Sequence, residues 1–565
     1  MSSFGDKVVY QIYPRSFYDT DGDGIGDLRG ITARLDYLSE LGIDYIWITP
    51  FFVSPQRDNG YDIADYRKID ERFGTMSDFE ELSRTAHEKG IGIMLDMVFN
   101  HTSTEHEWFK RALAGDKEYQ DYYIFVEGTA DAPPTNWESK FGGSAWEYVE
   151  SLGKWYLHLF DVTQADLNWN NKKVREELKD IIRFWKEKGV NGFRFDVINL
   201  ISKPDILEDD TEGDGRRFYT DGPLVHEYLK ELVRDTGIRD MITVGEMSST
   251  TIDNCIRYSN PKEEELSMAF SFHHLKVDYK NGDKWALKPY DKIELKQLLK
   301  TWQEGMASGG GWNAVFWTNH DQPRTISRFG DEKKYWKQSG KLFAGILHLM
   351  RGTPYVYQGE EIGMLNAHYG SIGDYRDVES LNYYEILKLR GMSAEDALKV
   401  IDERSRDNGR TPMQWDKGEN SGFTEGTPWI KVPACGDEVT VEAQLQDEDS
   451  ILNFYKKLIS MRKEMPIISD GDISFDTEVP EEVICYKRTL GNRKMLVYGN
   501  MSEEEITVDL SRTQAEDIKG LKLILCNYKA LAQENPENQE KNRIGGFLDE
   551  GSIRLRPYEL LVFAI

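Results

Sequence analysis

Four separated segments of this 565-residue chain each end a short apolar run on ionisable residues. They contain Asp96–His101, Arg194–Asp196, Glu246 and His320–Asp321. Taken singly, each residue is as readily explained by an ion pair or a strand-end cap. In a (β/α)8 barrel, however, the active site is built at the C-terminal ends of the strands. Four such strand ends in one chain therefore favour a single catalytic site at the mouth of a barrel.

The carboxylates in these segments suit the cleavage of a glycosidic bond. A glycosidase that retains configuration needs an ionised carboxylate as nucleophile and a carboxylic acid that protonates the leaving oxygen. Asp196 lies two residues after Arg194, so both point to one side of a strand, and the cation should keep the pKa of Asp196 low. Glu246 ends an apolar strand, where a general acid with a raised pKa is expected. Asp321, beside His320, would stabilise a positively charged transition state.

Eight apolar segments alternate with helical patterns up to residue 359. The segment that leads into the fourth strand, for example, has apolar residues at helical spacing from Val174 to Trp185. Eight rounds of this alternation predict a closed barrel of parallel strands. The predicted strands are 8–14, 45–50, 91–98, 192–197, 241–247, 265–272, 314–320 and 354–359.

Three regions depart from this rhythm. Residues 102–171, rich in Trp, Tyr, Gly and Pro, predict a lobe inserted after strand 3, and residues 362–430 predict a second insertion. From residue 480, short alternating segments predict an antiparallel β domain. The predicted fold class is α/β, a (β/α)8 TIM barrel with an inserted lobe and a C-terminal antiparallel β-sandwich. The predicted domains are the barrel (1–101 and 172–479), the inserted lobe (102–171) and the C-terminal domain (480–565).

Composition excludes several classes of protein. The net charge of 70 − 98 = −28 disfavours nucleic acid and anionic membranes as partners. No segment is long and apolar enough to span a bilayer, and the N-terminal segment lacks the pattern of an export signal. The four cysteines lack metal-type spacing and indicate reduced thiols in a cytoplasmic protein. We expect a small-molecule substrate and a monomer or weak oligomer.

The segment DTDGDGIGD (19–27) has an aspartate at every second position up to residue 23, with glycines that permit a tight turn. This pattern is typical of the start of a calcium loop, although the helix and terminal glutamate of an EF-hand are absent. A solvated acidic turn is the alternative interpretation. We expect one structural Ca²⁺ on the first barrel loop and no organic cofactor. The predicted oxygen ligands are Asp19, Asp21, Asp23, the Ile25 carbonyl and Asp27.

Five segments, in their order along the chain, resemble the signature regions of the α-amylase family of glycoside hydrolases. They are DMVFNH, QADLNW, GFRFDV, VGEM and FWTNHDQPR. Three more segments resemble the oligo-1,6-glucosidase branch of this family, namely DTDGDGIGD, NGYD and GRTPMQW. In that branch, a valine at the position of Val197 accompanies cleavage of non-α-1,4 linkages. The resemblance implies Asp196 as nucleophile, Glu246 as acid/base and Asp321 as transition-state stabiliser. The glucose-binding residues that it implies are Asp58, Tyr61, His101, Phe160, Gln164, Arg194, His320 and Arg406.

Three further stretches resemble the trehalose-6-phosphate hydrolases of this family, namely GDGRRFYTDGP (213–223), VGEMSSTTIDNC (244–255) and FHHLKVDY (272–279). The first and third should lie on loops at the pocket mouth, where cations would bind the phosphate of a leaving sugar. Alternatively, these cations pair with the acidic residues of the segment 205–214. The predicted phosphate-binding residues are Arg216, Arg217, His274, Lys276 and Lys284, with His273 as a further candidate.

The sequence thus predicts a retaining α-glucosidase that hydrolyses the α-1,1 bond of trehalose 6-phosphate, and it leaves three rival functions. An oligo-1,6-glucosidase would share the catalytic residues but lack the phosphate-binding cations. A non-catalytic relative, such as the ectodomains that escort amino-acid transporters, would have lost catalytic carboxylates, and this sequence has all three. Sucrose isomerisation on the same fold is the least favoured rival.

Overall fold

The core of the protein is a closed barrel of eight parallel strands, seen in a computed structural model that describes residues 4–510, 521–529, 548–549 and 551–564. Neighbouring strands follow one another in chain order, and the eighth pairs with the first. The predicted (β/α)8 barrel is confirmed, and all eight predicted segments contribute a strand. The strands are β1 (Val9–Ile12), β2 (Tyr45–Ile48), β3 (Gly92–Met97), β4 (Gly192–Phe195), β5 (Ile242–Glu246), β6 (Met268–Phe270), β7 (Asn313–Val315) and β8 (Thr353–Tyr357).

Helices follow every barrel strand. In the helix Lys172–Glu187, the Asn171 side chain caps the N-terminus by accepting from the Lys173 N–H at 2.9 Å, and the apolar positions from Val174 to Trp185 are buried. No helix among the described residues has the length and apolar character needed to cross a membrane. The helices are Leu28–Ala33, Leu35–Leu41, Met76–Glu88, Lys172–Glu187, Val225–Thr236, Ile252–Ser259, Lys292–Gly309, Thr325–Phe329, Trp336–His348, Val378–Leu389, Ala394–Arg404 and Ile451–Glu464, with shorter ones at Glu107–Leu113, Lys117–Gln120, Arg216–Tyr219, Asp407–Arg410, Val441–Gln446 and Pro466–Ser469.

The seventh strand is shorter than predicted. The predicted segment 314–320 is a strand only up to Val315, so His320 and Asp321 lie on the loop that follows. Val315 is the last residue of β7 to pair with β8, where its partner is Pro354. Proline has no N–H with which to continue the ladder, and the chain leaves the sheet at this point.

The inserted residues 102–171 contain a small antiparallel sheet with its own apolar core. This core includes Trp137 and Trp146, and it also includes Val197, which directly follows Asp196. The lobe is therefore packed directly against the segment that follows β4, beside the predicted catalytic site. Its strands are Phe125–Glu127, Trp146–Val149 and Lys154–Leu157, with the last of these in the middle.

Two antiparallel sheets form the C-terminal part of the chain, with a buried cluster that includes Leu496 and Ile553 between them. The predicted C-terminal β-sandwich is confirmed, but its first strand begins at Asp472, upstream of residue 480. The exact residue limits of the predicted domains stay a prediction. One sheet contains Asp472–Phe475, Val483–Leu490, Arg493–Asn500, Lys522–Cys526 and Leu560–Ala564, and the other contains Ile506–Asp509, Leu548–Asp549 and Ser552–Leu555.

The close approach of β4 to β5 depends on Gly192. A Cβ placed on Gly192 would collide with the Ile242 side chain and lie 2.8 Å from the Ile242 carbonyl oxygen. We expect the Gly192→Ala variant to push the two strands apart and to lower the free energy of unfolding by about 1–3 kcal/mol. Calorimetry should show a lower melting temperature than that of the native protein.

Gly370→Ala is the matched control, because Gly370 is exposed and no atom lies within 4 Å of its added Cβ. This control should leave the melting temperature unchanged. An unchanged melting temperature for Gly192→Ala would contradict the importance of close packing between β4 and β5.

Candidate active site

Arg194 lies at the centre of a buried ion-pair network at the C-terminal ends of β3, β4 and β5. One terminal nitrogen contacts Asp96 at 2.6 Å and Asp196 at 2.8 Å, and the other contacts Glu246. The Tyr61 hydroxyl also donates to Asp96, at 2.9 Å. A single guanidinium group therefore brings together Asp196 and Glu246, the two carboxylates that the sequence predicts as a catalytic pair.

Asp321 approaches the same network from the loop after β7. Its carboxylate contacts Arg410 at 2.6 Å, His320 at 3.2 Å and Arg406 at 3.6 Å. Burial opposes its ionisation, but these neighbours together hold the pKa of Asp321 well below its ordinary value. Asp321 is therefore ionised, as a group that stabilises developing positive charge must be.

The pKa of Asp196 departs from the sequence-based expectation. Burial raises this pKa to about 7, and Arg194 is the strongest influence in the opposite direction. The negative charges of Asp96, Asp321 and Asp58 add to the effect of burial, because like charges disfavour a further ionised carboxylate. The expectation of a low pKa was wrong because it considered the neighbouring cation, and neither the burial of the carboxyl group nor the three other carboxylates.

A polar wall of the pocket is centred on Asp58. Its carboxylate accepts hydrogen bonds from Arg406 and Gln164, each at 3.1 Å. Burial raises the pKa of Asp58 to about 6, and the charge of Arg406 opposes this rise. Asp377, which sequence analysis missed, contacts Arg406 at 2.7 Å. Arg406 is therefore held between carboxylates on two loops that are distant in sequence.

An aromatic wall completes the pocket. The Tyr61 ring stacks on His320 with centroids 5.1 Å apart, and Arg194 lies 5.7 Å from the centre of the Tyr61 ring. Phe160, from the inserted lobe, packs 5.2 Å from the His101 ring. Direct contacts thus connect all eight residues that the sequence predicts to bind glucose into one surface beside Asp196.

His101 is oriented by a buried network behind this surface. Lys203 contacts Asp166 at 2.7 Å and Asn100 at 2.6 Å, and the Asn100 amide donates to His101 Nδ1 at 3.2 Å. Burial lowers the pKa of His101 to about 4, so the ring is neutral near pH 7. A ring that accepts at Nδ1 carries its proton at Nε2, which lies 3.1 Å from the Tyr61 carbonyl oxygen.

Three of the predicted phosphate-binding cations, Arg216, Arg217 and Lys284, have acidic partners. Arg217 contacts Asp210 at 2.9 Å, and Lys284 contacts Glu379 at 2.6 Å. Arg217, and also Arg216 through Asp214, therefore follow the alternative interpretation, in which the cations of this motif pair with the acidic segment 205–214. The charges of Arg217 and Lys284 are not freely available to a ligand.

His273 and His274 do not provide positive charge at the pocket mouth. His274 donates to the Phe316 carbonyl oxygen at 2.9 Å, and His273 stacks on Trp302 with ring centroids 4.7 Å apart. Burial lowers the pKa of both rings to about 4, so both are neutral near pH 7. The predicted role of these two residues in binding phosphate stays a prediction.

Arg216 and Lys276 instead lie close to Lys140, a residue of the inserted lobe that sequence analysis missed. Burial lowers the pKa of Lys140 to about 8, and the positive charges of Arg216 and Lys276 also lower it. Arg216 contacts Asp214 at 2.5 Å. Lys140 Nζ lies 3.2 Å from the hydroxyl of Ser248, two residues after Glu246. These three residues, here called the cationic cluster, lie beside the segment that follows β5.

Three aspartates come together on the loop after β1. Carboxylate oxygens of Asp19, Asp21 and Asp27 lie within 4.8 Å of one another, which is a donor set that hard cations prefer. Asp23, predicted as a further ligand, lies outside this group and accepts from the Ile25 N–H at 2.8 Å. The hydroxyl of Thr424 donates to Asp19 at 2.5 Å, which joins the loop to the segment after β8.

Comparisons with known proteins agree with this arrangement. Residues 11–471 match the family described as alpha amylase, catalytic domain. The chain is 50% identical to a trehalose-6-phosphate hydrolase of Bacillus subtilis (strain 168), covering 99% of this chain and 97% of that protein. It is 46% identical to an oligo-1,6-glucosidase of Parageobacillus thermoglucosidasius, covering 99% of this chain and 98% of that protein. The crystal structure of Bacillus licheniformis trehalose-6-phosphate hydrolase is similar with a TM-score of 0.91 at 51% identity, covering 99% of both chains. The chain belongs to the alpha-amylase family of glycoside hydrolases.

Proposed function

We propose that this protein is a retaining α-glucosidase that hydrolyses the α-1,1 bond of trehalose 6-phosphate to glucose and glucose 6-phosphate. The cationic cluster beside the segment after Glu246 is the observation that carries the choice of substrate. A protein with a net charge of −28 repels a dianion unless its binding site concentrates positive charge. The 50% identical relative named trehalose-6-phosphate hydrolase supports the same substrate.

In the first step, Asp196 attacks the anomeric carbon of the unphosphorylated glucose while Glu246 protonates the bridging oxygen. The bond from that carbon to the oxygen breaks, an ester between glucose and Asp196 forms, and glucose 6-phosphate leaves. Asp321 stabilises the positive charge that develops on the sugar. The contact of one guanidinium with both Asp196 and Glu246 supports the short separation, about 5 Å, that a retaining pair requires.

In the second step, water replaces the departed sugar and hydrolyses the ester. Glu246 now accepts a proton from the water, which attacks the anomeric carbon and releases glucose and ionised Asp196. Two successive displacements at one carbon retain its configuration. This chemistry requires no organic cofactor.

The cationic cluster would bind the phosphate of the leaving sugar. Asp214 pairs with Arg216, and the charges of Asp214 and Asp166 both act on Lys140. Because Asp166 is itself paired with Lys203, the cluster has unbalanced positive charge. A bound dianion would raise the pKa of Lys140 from about 8, because a nearby negative charge favours the protonated amine. Binding would therefore strengthen the positive charge that phosphate recognition needs.

An oligo-1,6-glucosidase is the second candidate function, favoured by the 46% identical relative of that name. It would use the same three carboxylates with the same roles. The two functions differ only in the leaving sugar, so the cationic cluster is the part of the site that distinguishes them.

We also propose a structural Ca²⁺ held by Asp19, Asp21 and Asp27. The ion would neutralise three clustered carboxylates and stabilise the loop after β1 against the segment that contains Thr424.

A cytoplasmic location is proposed because phosphorylated sugars do not cross membranes unaided. The four cysteines, Cys255, Cys435, Cys485 and Cys526, are all free, which suits a reducing compartment.

The substrate proposal is tested by comparing trehalose 6-phosphate, isomaltose and nitrophenyl α-glucoside as substrates. We expect kcat/KM for trehalose 6-phosphate to exceed that for isomaltose. The Lys276→Glu variant should lower kcat/KM for trehalose 6-phosphate by about 10²-fold, because it places a negative charge beside the phosphate, and should lower it much less for nitrophenyl glucoside.

Arg217→Glu is the matched control, because Arg217 is exposed, lies in the same motif as Arg216 and is paired with Asp210. This control should change the ratio of the two kcat/KM values little. A preference for isomaltose would contradict the substrate proposal, and equal losses on both substrates in Lys276→Glu would contradict the role of the cluster.

The raised pKa of Asp196 predicts the acid side of the pH profile. Asp196 must be ionised to attack, and it is protonated below its pKa of about 7. We therefore expect kcat/KM for nitrophenyl glucoside to rise with pH through about 7. The Glu246→Gln variant should keep this rise, since it leaves Asp196 in place. If kcat/KM instead rose around the ordinary pKa of an aspartate, about 4, the prediction would be contradicted.

Removal of calcium should lower the melting temperature of the native protein, because three carboxylates then repel one another. The measurement is a thermal melt with and without a calcium chelator. Asp21→Asn should abolish the chelator effect, whereas Asp23→Asn, outside the carboxylate group, should retain it. A native protein whose melting temperature is insensitive to the chelator would argue against the ion.

A further inference from the structure

Asp221, on the long loop after β4, accepts hydrogen bonds from four side chains. Asn199 donates to it at 3.0 Å, Tyr258 at 2.7 Å, and Thr250 and Asn254 at 2.8 Å each. Asn199 lies after β4, and the other three donors lie after β5. One carboxylate therefore joins the loops that follow the proposed nucleophile and the proposed acid/base.

Asn199 extends this connection to the segment of Glu246. Its side chain donates to the Ser248 carbonyl oxygen and accepts from the Ser248 N–H, both at 2.9 Å. Ser248 lies two residues after Glu246, and the fully buried Asn199 lies three residues after Asp196. The paired hydrogen bonds fix the backbone after Glu246 relative to the turn after Asp196.

The backbone at this connection is strained at three residues that are not glycine. Val197 has φ +35°, Ser249 has φ +54° and Asp221 has φ +50°. Left-handed conformations are disfavoured for such residues, above all for a β-branched valine, and persist only where surrounding contacts hold them. Val197 directly follows Asp196, and Ser249 lies three residues after Glu246, so strained residues lie on both of the segments that follow the proposed catalytic groups.

We propose that Asp221, acting through Asn199, is a positioning residue that aligns Glu246 with the glycosidic oxygen. The inference rests on the proposed role of Glu246 as acid/base. Loss of the carboxylate would leave four donors without their shared acceptor and would let the turn after Glu246 relax. Asp196 would keep its place, because its own backbone N–H donates to the Met97 carbonyl oxygen of β3 at 3.0 Å, a contact that does not depend on Asp221.

Two sequence motifs acquire a physical explanation from this arrangement. Asp221 belongs to GDGRRFYTDGP (213–223), and Thr250 and Asn254 belong to VGEMSSTTIDNC (244–255). Asp221 accepts directly from both of these partners. Some residues of these two motifs therefore support the position of Glu246, whereas Arg216, in the first motif, belongs to the cationic cluster.

A misaligned acid affects substrates according to their leaving groups. The sugar oxygen of a disaccharide must receive a proton from Glu246 as its bond to carbon breaks. α-Glucosyl fluoride reacts with Asp196 by the same displacement, and its fluoride departs as an anion without needing that proton. The ratio of kcat/KM for the two substrates therefore reports on acid catalysis separately from overall folding.

The test compares Asp221→Asn and Asn199→Ala with the native enzyme on its disaccharide substrate and on α-glucosyl fluoride. We expect kcat/KM for the disaccharide to fall by about 10²-fold, the scale of a small misplacement of a catalytic group. The value for the fluoride should fall far less. Should both variants fail to fold, Thr250→Val, which removes one donor, should change the ratio in the same direction by a smaller factor.

Thr251→Ala is the control for general destabilisation. Thr251 caps the helix Ile252–Ser259 by accepting from the Asn254 N–H at 3.2 Å, and it makes no bond to Asp221. This variant should lower the melting temperature and leave the substrate ratio unchanged. Equal losses on both substrates in the Asp221 and Asn199 variants would overturn the proposal.

Glu246→Gln separates this proposal from the one on which it rests. If Glu246 is the acid, this variant must show a larger loss on the disaccharide than on the fluoride. A variant without that difference would overturn the acid assignment and the positioning role together. The positioning role alone would be overturned if Glu246→Gln lost more activity on the disaccharide than on the fluoride while the Asp221 and Asn199 variants lost equally on both.

Discussion

The buried guanidinium of Arg194 is the interaction on which the active site depends. Asp96, Asp196 and Glu246 come from three adjacent strands, and each contacts this one cation. Three carboxylates in a closed pocket would otherwise favour protonation, because burial and mutual repulsion both disfavour their charged forms. Removing one member of such a buried pairing costs about 3–5 kcal/mol, since it leaves an uncompensated charge. The parallel barrel makes the arrangement possible because it sets β3, β4 and β5 side by side.

Charge is distributed unevenly between the two ends of the proposed substrate. The glucose side is lined by carboxylates that contact Arg406 and Arg410, so its charges are largely balanced within the protein. The leaving-group side has three cations and two nearby carboxylates, Asp214 and Asp166. A neutral sugar and a phosphorylated sugar would therefore find different electrostatic environments within one pocket. The strongly acidic remainder of the protein sharpens this difference.

The sequence predicted the barrel and the carboxylates well because their signals are local. Asp196 and Glu246 each end or follow an apolar strand, and the strand pattern alone assigns them to one end of the barrel. Lys140 could not be predicted in this way, because it lies in an irregular segment and meets Lys276 only through tertiary folding. The glycines after Phe141, with φ of +93° and +81°, mark a turn but not the neighbour that it faces.

The differences between the sequence-based expectations and the structure have the same origin. The direction of the His274 ring depends on the packing of β6 against β7, which the motif HHLK does not encode. The pKa of Asp196 depends first on its burial and then on all the charges around it, of which the neighbouring Arg194 is only one. Residue types and spacing thus predict which groups meet, and they predict less well how their charges balance.

The shared core of the inserted lobe has a consequence for chimeric enzymes. Val197 and Leu200 belong to the same apolar cluster as Trp137 and Trp146, although they lie in the barrel part of the chain. A lobe transplanted from another member of the family would bring its own tryptophans and meet unmatched partners there. Grafts that exchange these two barrel residues together with the lobe should preserve the turn beside the nucleophile, and grafts cut at the lobe ends alone should disturb it.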